Sequence, residues 1–226
     1  NLGKPGDVYI DYILTPDDLL RVVSKPKGYV AMSKAAVLDF NDPWEMLSEK
    51  THSTPSFLKE LNPTITNLVA GMQLTLPNLD GTRKLPPVSR IVIMISETTL
   101  LAFDTNNKVV ACFPCSIAAN KTKVPNVPLT VANIAPNPNY TFDPKVLLQV
   151  AQQEGITNKL MLPPGPNNPV GTAWIGLSLQ GYGIHGTPEP EDISRTGSHG
   201  CFRLANWNAS KLVRAVRPGI PVEVVP

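Results

Sequence analysis

The chain has 226 residues, 42% of them apolar, and 20 Lys and Arg against 18 Asp and Glu leave a net charge of +2. That length supports one large domain or two modest ones, each with a core of its own. The basic residues are scattered, which excludes the charged footprint of a nucleic-acid binder, and no apolar run approaches the roughly 18–20 residues of a membrane-spanning helix. The chain begins at Asn1 rather than Met; we read it as a mature or trimmed form, which leaves export open. Its 24 prolines favour short elements and ordered loops over long helices.

Thr15-Pro16-Asp17-Asp18 predicts a short helix, with Thr15 as N-cap, Pro16 at the first helical position and acids in the first turn. Leu19, Leu20, Val22 and Val23 supply its apolar side. Asp42-Pro43-Trp44-Glu45 starts a second helix, and Glu45 can complete a capping box. Thr54-Pro55 starts a third, expected to bury Phe57, Leu58 and Leu61 and to end at Asn62-Pro63. Leu68, Gly71, Leu74 and Leu76 lead into an extended piece closed by Pro77-Asn78. Residues 47–79, with Leu61-Asn62-Pro63 followed by Gly71-x-x-Leu74-x-x-Pro77, resemble the second half of a LysM module, whose first strand is not evident. The resemblance implies binding of glycans that contain N-acetylglucosamine. The alternative is a small packing domain without glycan affinity, and His52 reads as an ordinary surface or core histidine.

Residues 81–89 are polar and proline-rich, a linker between an N-terminal region (1–80) and a second domain (90–226). Strand signals follow at Arg90–Ile95, Thr99–Phe103 and Val109–Ile117, with an Asn/Asp turn before the third. That spacing predicts a mainly antiparallel sheet, and Leu129–Ile134 is a further strand. Cys112-Phe-Pro-Cys115 lacks the βαβ surroundings of a redox centre. A structural disulfide or two ordinary thiols are the alternatives, and a bridge would need Pro114 to break the strand, because residues three apart face opposite sides. Asp143-Pro144 caps a helix with Val146, Leu147, Val150 and Ala151 as its stripe and Gly155 as its stop. After a proline- and asparagine-rich loop (Leu162–Pro169) come strands at Ala173–Leu177 and Gly183–His185. Asn206 or Asn208 caps a last helix with Leu212, Val213 and Val216, and Ile220–Val225 closes the chain as a strand.

The stretch from Gly181 to Asn206 carries two of the three histidines and one of the three cysteines. A thiol attacks only as thiolate, and a free Cys with a pKa of about 8.5 is mostly protonated at neutral pH. A nearby imidazole can take the proton, and the ion pair then holds the thiolate. Glycines beside such residues let the backbone approach a substrate and aim N–H groups at a developing oxyanion. His-His-Cys could also hold zinc, but no acidic or cysteine partner has the familiar ligand spacing. Glu189, Glu191 and Asp192 read as a solvated loop.

His185, the spacer Gly186–Gly197 and Ser198-His199-Gly200-Cys201-Phe202-Arg203 resemble the signature of the bacterial L,D-transpeptidases, and the resemblance covers residues 90–226. It implies Cys201 as nucleophile and His185 as base, the latter oriented by the carbonyl of Gly186, with His199 and Gly200 shaping an oxyanion pocket. Ser198 would hydrogen-bond the loop or the second histidine. Arg203 would either brace the loop or bind a substrate carboxylate, and Tyr182 and Trp174 either line the cleft or belong to the core. The implied fold is mainly β with a few short helices, a β-sandwich-like catalytic domain behind a small α+β LysM-like one. The implied partners are peptidoglycan stem peptides and glycan in the periplasm or cell envelope, with neither cofactor nor metal. The implied reaction is acyl transfer from a tetrapeptide stem to a neighbouring amine. An L,D-carboxypeptidase, another cell-wall thiol peptidase or amidase, and a non-catalytic peptidoglycan-binding protein are the alternatives.

Overall fold

The structure, a computed structural model, describes residues 7–79, 84–118, 120, 122, 124–196 and 200–226. Strand β1 (Tyr9–Ile13) pairs antiparallel with β2 (Gln73–Pro77), and between them lie helices α1 (Pro16–Leu19), α2 (Tyr29–Met32), α3 (Pro43–Thr51) and α4 (Pro55–Leu61). The extended piece expected to close at Pro77-Asn78 is β2, and its strand partner lies near the start of the chain. That strand alternates exposed and half-buried residues (Tyr-Ile-Asp-Tyr-Ile), a weak signal when read alone. Leu14, Leu47, Leu58, Leu74 and Leu76 fill its core beside Phe40, Trp44 and Met46.

The helix starts follow local chemistry. Thr15 and Asp18 form a reciprocal capping box at α1, and the Asp42 side chain accepts the backbone N–H groups of Trp44 and Glu45 at α3. Glu45 reaches one residue further back, to the Asn41 N–H. Thr54 caps α4, yet only Leu58 of that helix is buried and Phe57 stays exposed. Leu20 and Val23 are exposed as well, because α1 makes a single turn and cannot present a continuous apolar side.

The second part of the chain builds one eight-stranded sheet from β3 (Arg90–Met94), β4 (Thr99–Phe103), β5 (Val109–Pro114), β6 (Leu129–Pro136), β9 (Ala173–Leu177), β10 (Gly183–His185), β11 (Phe202–Arg203) and β12 (Pro221–Val225), in the order β11-β10-β9-β6-β12-β3-β4-β5. Pairings are antiparallel except β12 with β3 and β10 with β11. The two ends of the sheet meet where Ser116, just past β5, exchanges both backbone hydrogen bonds with Arg203 of β11, each 2.9 Å long. A β-sandwich-like domain was expected; the sheet instead curls and closes on itself. With strands this short, curling lets one sheet enclose its own core without a second layer.

Helix α6 (Asn206–Val213) packs on β6, β9 and β10, adding Ala209, Leu212 and Val213 to the core. Its N-cap is Ala205, and no side chain caps it, so neither Asn206 nor Asn208 plays the expected capping role. Helix α5 (Leu148–Glu154) starts later than the sequence suggests, leaves Val146 exposed, and stops at left-handed Gly155. Asp143 instead accepts the Lys145 N–H in the turn before it. The short pair β7 (Tyr140–Phe142) and β8 (Leu160–Leu162) and helix α5 share a third core with Met32 and Leu38.

Between the two parts, Leu85 packs against the core of the sheet, and Val88 is buried and donates its N–H to the Ala215 carbonyl. The C-terminal half of the expected 81–89 linker is therefore laid down on the second domain, and Asp80 to Arg83 lie outside the described residues. Cys112 is exposed and Cys115 buried, and both are free. Strand β5 runs through Pro114, so the two thiols keep the opposite facings of residues three apart. Among the described residues, no helix is long and apolar enough to cross a membrane.

Candidate active site

Strands β9, β10 and β11 carry the site. Parallel register sets Ile184 opposite Phe202 and His185 opposite Arg203. Ile184 and Phe202 are both in the core, so alternation turns His185 and Arg203 to the other face. Cys201 stands one residue before β11, and its Sγ–H donates to the Gly181 carbonyl at 3.5 Å. The Gly183 N–H also bonds the sulfur. Thiol and imidazole thus share the outer face of the β10–β11 pair, about one dipeptide step apart along the strands.

The imidazole is held tightly. Its Nδ1 lies 2.7 Å from the Gly186 carbonyl oxygen. A carbonyl only accepts, so Nδ1 carries the hydrogen and the neutral ring keeps its lone pair on Nε2. Trp174, the cross-strand partner of His185 on β9, stacks on the ring with centroids 5.7 Å apart and planes 23° from parallel. Gly183 makes room for that indole, since a Cβ there would lie 2.5 Å from Trp174 Cη2. Trp174 therefore orients His185 and is more than core filling.

Burial pushes the His185 pKa down to about 4, and the Arg203 charge adds to this, while the Gly186 hydrogen bond partly offsets it. Burial pushes the Cys201 thiol up, partly offset by the Gly183 N–H. Both shifts favour neutral thiol beside neutral imidazole. They weigh against the thiolate–imidazolium pair expected from sequence and favour proton transfer that accompanies attack.

Arg203 donates from Nη2 to the carbonyl of Thr196 and to its hydroxyl, at 3.0 and 2.8 Å. These are the bonds of a brace on the spacer loop. The same residue, with Thr187, Glu189, Lys25, Tyr29 and Asn167, lines a cavity of about 730 Å³ beside the strands. Tyr182 is half-buried against the core, and a Cβ on Gly200 would sit 3.8 Å from its ring. It neighbours the loop that carries the thiol. Ser198 and His199 lie outside the described residues.

Sequence reasoning missed part of the surroundings. Asn206 is fully buried, and its Oδ1 occupies the space beside Gly186 and Gly171, whose added Cβ atoms would lie 2.2 and 1.9 Å from it. Its place five residues after Cys201 was the available signal, obscured by the capping role that asparagine favours. Tyr140 of β7 is pushed up to about 12 by burial, with the charges of Tyr29 and Cys201 adding to it. That places the Tyr140 phenol near the thiol, though it is 61 residues from it in sequence.

The chain is similar to the YkuD proteins of Bacillus licheniformis and Bacillus subtilis, which both carry L,D-transpeptidase in their names. The first is 24% identical over 184 residues, 80% of this chain and 93% of that protein. The second is 27% identical over 168 residues, 74% and 84% of the two chains. Among solved structures, an L,D-transpeptidase from Mycobacterium smegmatis aligns with 70% of this chain and 65% of its own length, at 18% identity and a TM-score of 0.47. The family model of the L,D-transpeptidase catalytic domain, YkuD, matches residues 89–224, and the chain belongs to that family.

Proposed function

We propose that the protein cross-links peptidoglycan by cysteine acyl transfer, with Cys201 as nucleophile and His185 as general base. The observation that carries this reading is the His185 ring, locked with Nδ1–H on the Gly186 carbonyl and its Nε2 lone pair available on the face shared with Cys201. In the first step Nε2 takes the thiol proton as sulfur attacks the carbonyl between the third stem residue and D-alanine. The role of holding the oxyanion of the tetrahedral intermediate falls to His199 and Gly200. Collapse breaks the C–N bond, the imidazolium protonates the departing D-alanine amine, and a thioester remains on Cys201. An amine of a neighbouring stem then attacks the thioester, gives its proton to Nε2, and releases the cross-linked product and the free thiol.

A His185 pKa of about 4 keeps the base neutral across the physiological range, which supports base-assisted attack over a preformed ion pair. Arg203 braces the loop, and Tyr182 and Trp174 flank the site. The N-terminal region acts as a LysM-like glycan-binding module, supported by the antiparallel pairing of β1 with β2 and by the Gly71–Pro77 pattern. A peptidoglycan substrate implies work in the periplasm or cell envelope.

Incubation with a purified tetrapeptide muropeptide tests the reaction. Release of D-alanine together with a 3-3 cross-linked dimer is the expected outcome. D-alanine without dimer would make the protein an L,D-carboxypeptidase, and cleavage elsewhere in the stem would make it a different thiol peptidase. The glycan role is tested by titrating the full chain carrying Cys201→Ala with chito-oligosaccharides, where absence of binding heat overturns it.

A further inference from the structure

We propose that Glu49, carried on α3 of the N-terminal region, is a positioning residue for the base: through Asn206 it holds the Gly186 backbone that fixes the His185 ring. The inference rests on the reading of His185 as base. Glu49 Oε1 accepts from Asn206 Nδ2 at 2.7 Å across 157 residues of sequence, and the same nitrogen donates to the Pro166 carbonyl at 3.0 Å. On the other side of the amide, Oδ1 accepts the Thr172 N–H at 3.1 Å, and the Thr172 hydroxyl donates to the Asn206 carbonyl at 3.2 Å. Every hydrogen-bonding position of the Asn206 side chain that faces Glu49, Pro166 and Thr172 is thereby assigned one orientation.

That orientation matters because of what the amide touches. Gly186 has no side chain, and the Asn206 oxygen fills the place where one would be. The Gly186 N–H is tied to the Ala173 carbonyl at 3.2 Å, so one end of the residue is pinned by β9 and its Cα face by Asn206. Its carbonyl, the acceptor of His185 Nδ1, has little freedom left to rotate. Removing Glu49 leaves a buried Nδ2–H short of a partner, which costs more than the bond was worth and favours reorientation of the amide. The Gly186 carbonyl would then be released, with loss of the single His185 tautomer. Glu49 acts through two intermediaries and belongs to a region outside the 89–224 catalytic match.

The test uses the full chain, wild type and Glu49→Ala, Glu49→Asp and Glu49→Gln, with two readouts. Nitrogen-15 NMR of the three histidines reports the His185 tautomer without any substrate, so it stands whether or not the stem peptide is the substrate. Steady-state kinetics on the tetrapeptide muropeptide reports the reaction. Glu49→Ala and Glu49→Asp, the latter too short to reach Asn206, are expected to show mixed His185 tautomers. Their kcat should fall on the order of 10- to 100-fold, the scale of a misplaced catalytic group, with KM within about twofold of wild type if chemistry is limiting. Glu49→Gln keeps an oxygen acceptor and should recover a single tautomer and most of the rate. Should the alanine variant fail to fold, the aspartate variant decides. A folded Glu49→Asp protein with wild-type tautomer and wild-type kcat overturns the proposal. If wild type itself turns over no muropeptide, the functional reading fails, and the tautomer measurement still decides this one.

Discussion

At Cys201 and His185 the two pKa shifts run in opposite directions, and both favour the neutral forms. A preformed ion pair would give a thiolate across neutral pH; the raised thiol favours one formed in alkali or during attack. Iodoacetamide modification of Cys201, followed by peptide mapping to separate it from exposed Cys112, should therefore accelerate steadily through pH 9. A plateau between pH 6 and 8 would restore the ion pair. The fit at Gly186 gives a second expectation. A methyl group there would meet Asn206 Oδ1 at 2.2 Å and Thr172 N at 3.1 Å, so Gly186→Ala must displace the carbonyl that orients the base. Turnover should fall by about 100-fold with the thiol still titratable by a disulfide reagent; turnover within twofold of wild type would contradict the orientation argument. Local sequence made His185, Cys201 and Gly186 legible because their chemistry depends on types and spacing along one short stretch. It could not show the two shifts toward the neutral forms, which come from burial in the folded chain.

The loop between base and nucleophile is held at both ends by elements that the sequence could not connect. Near its start Glu191 accepts the Ser56 N–H at the beginning of α4, at 2.9 Å, and near its end Arg203 grips Thr196. Glu191→Ala should leave the fold intact, since an exposed contact of this kind contributes about 0–1 kcal/mol. Amide hydrogen exchange of residues 186–196 should nevertheless quicken, and unchanged exchange would show that the contacts from Arg203, Ser116 and Thr98 hold the loop without it. Strands β3, β4, β9, β10 and β12 were readable as apolar runs between turn residues. Four others were missed for definite reasons: β1 is amphipathic and half-exposed, β7 and β8 have three residues each, and β11 has two. The curl of the sheet was out of reach for the same reason, because a single backbone bridge between Ser116 and Arg203 closes it.

Across the whole molecule, the N-terminal region and the sheet are joined by polar contacts as well as by the third core. Asn167 donates to the Asp39 carbonyl and to Glu45, Tyr29 donates its N–H to Glu154, and Asn206 reaches Glu49. None of these pairings has a sequence signature, because each joins residues more than 120 positions apart. Burial raises Glu49 to about 7, the repulsion of Glu45 adds to this, and Asn206 and the Arg21 charge partly offset it. Asp17, Asp18 and Lys50 line the neighbouring cavity. The folded state therefore binds this proton more tightly than the unfolded chain. Stability from this group is full below about pH 4.5, falls as pH rises to about 7, and is flat above. Buried His185 and half-buried His52, both lowered to about 4, give the opposite slope between pH 4 and 6.5, so the Glu49 contribution has to be read as a difference. Denaturant unfolding of wild type and Glu49→Gln should show wild type losing about 3 kcal/mol relative to the variant between pH 4.5 and 7.5, at about 1.36 kcal/mol per pKa unit. A constant difference over that range would mean that Glu49 titrates normally.

In the proposed reaction Cys201 carries an acyl group from a peptidoglycan stem. Intact-mass spectrometry of the protein mixed with a tetrapeptide-stem muropeptide, beside Cys201→Ala, tests it most directly. We expect an adduct equal to the stem minus D-alanine, labile to hydroxylamine and absent in the variant. A folded protein with a free thiol that gives neither adduct nor released D-alanine would contradict the account.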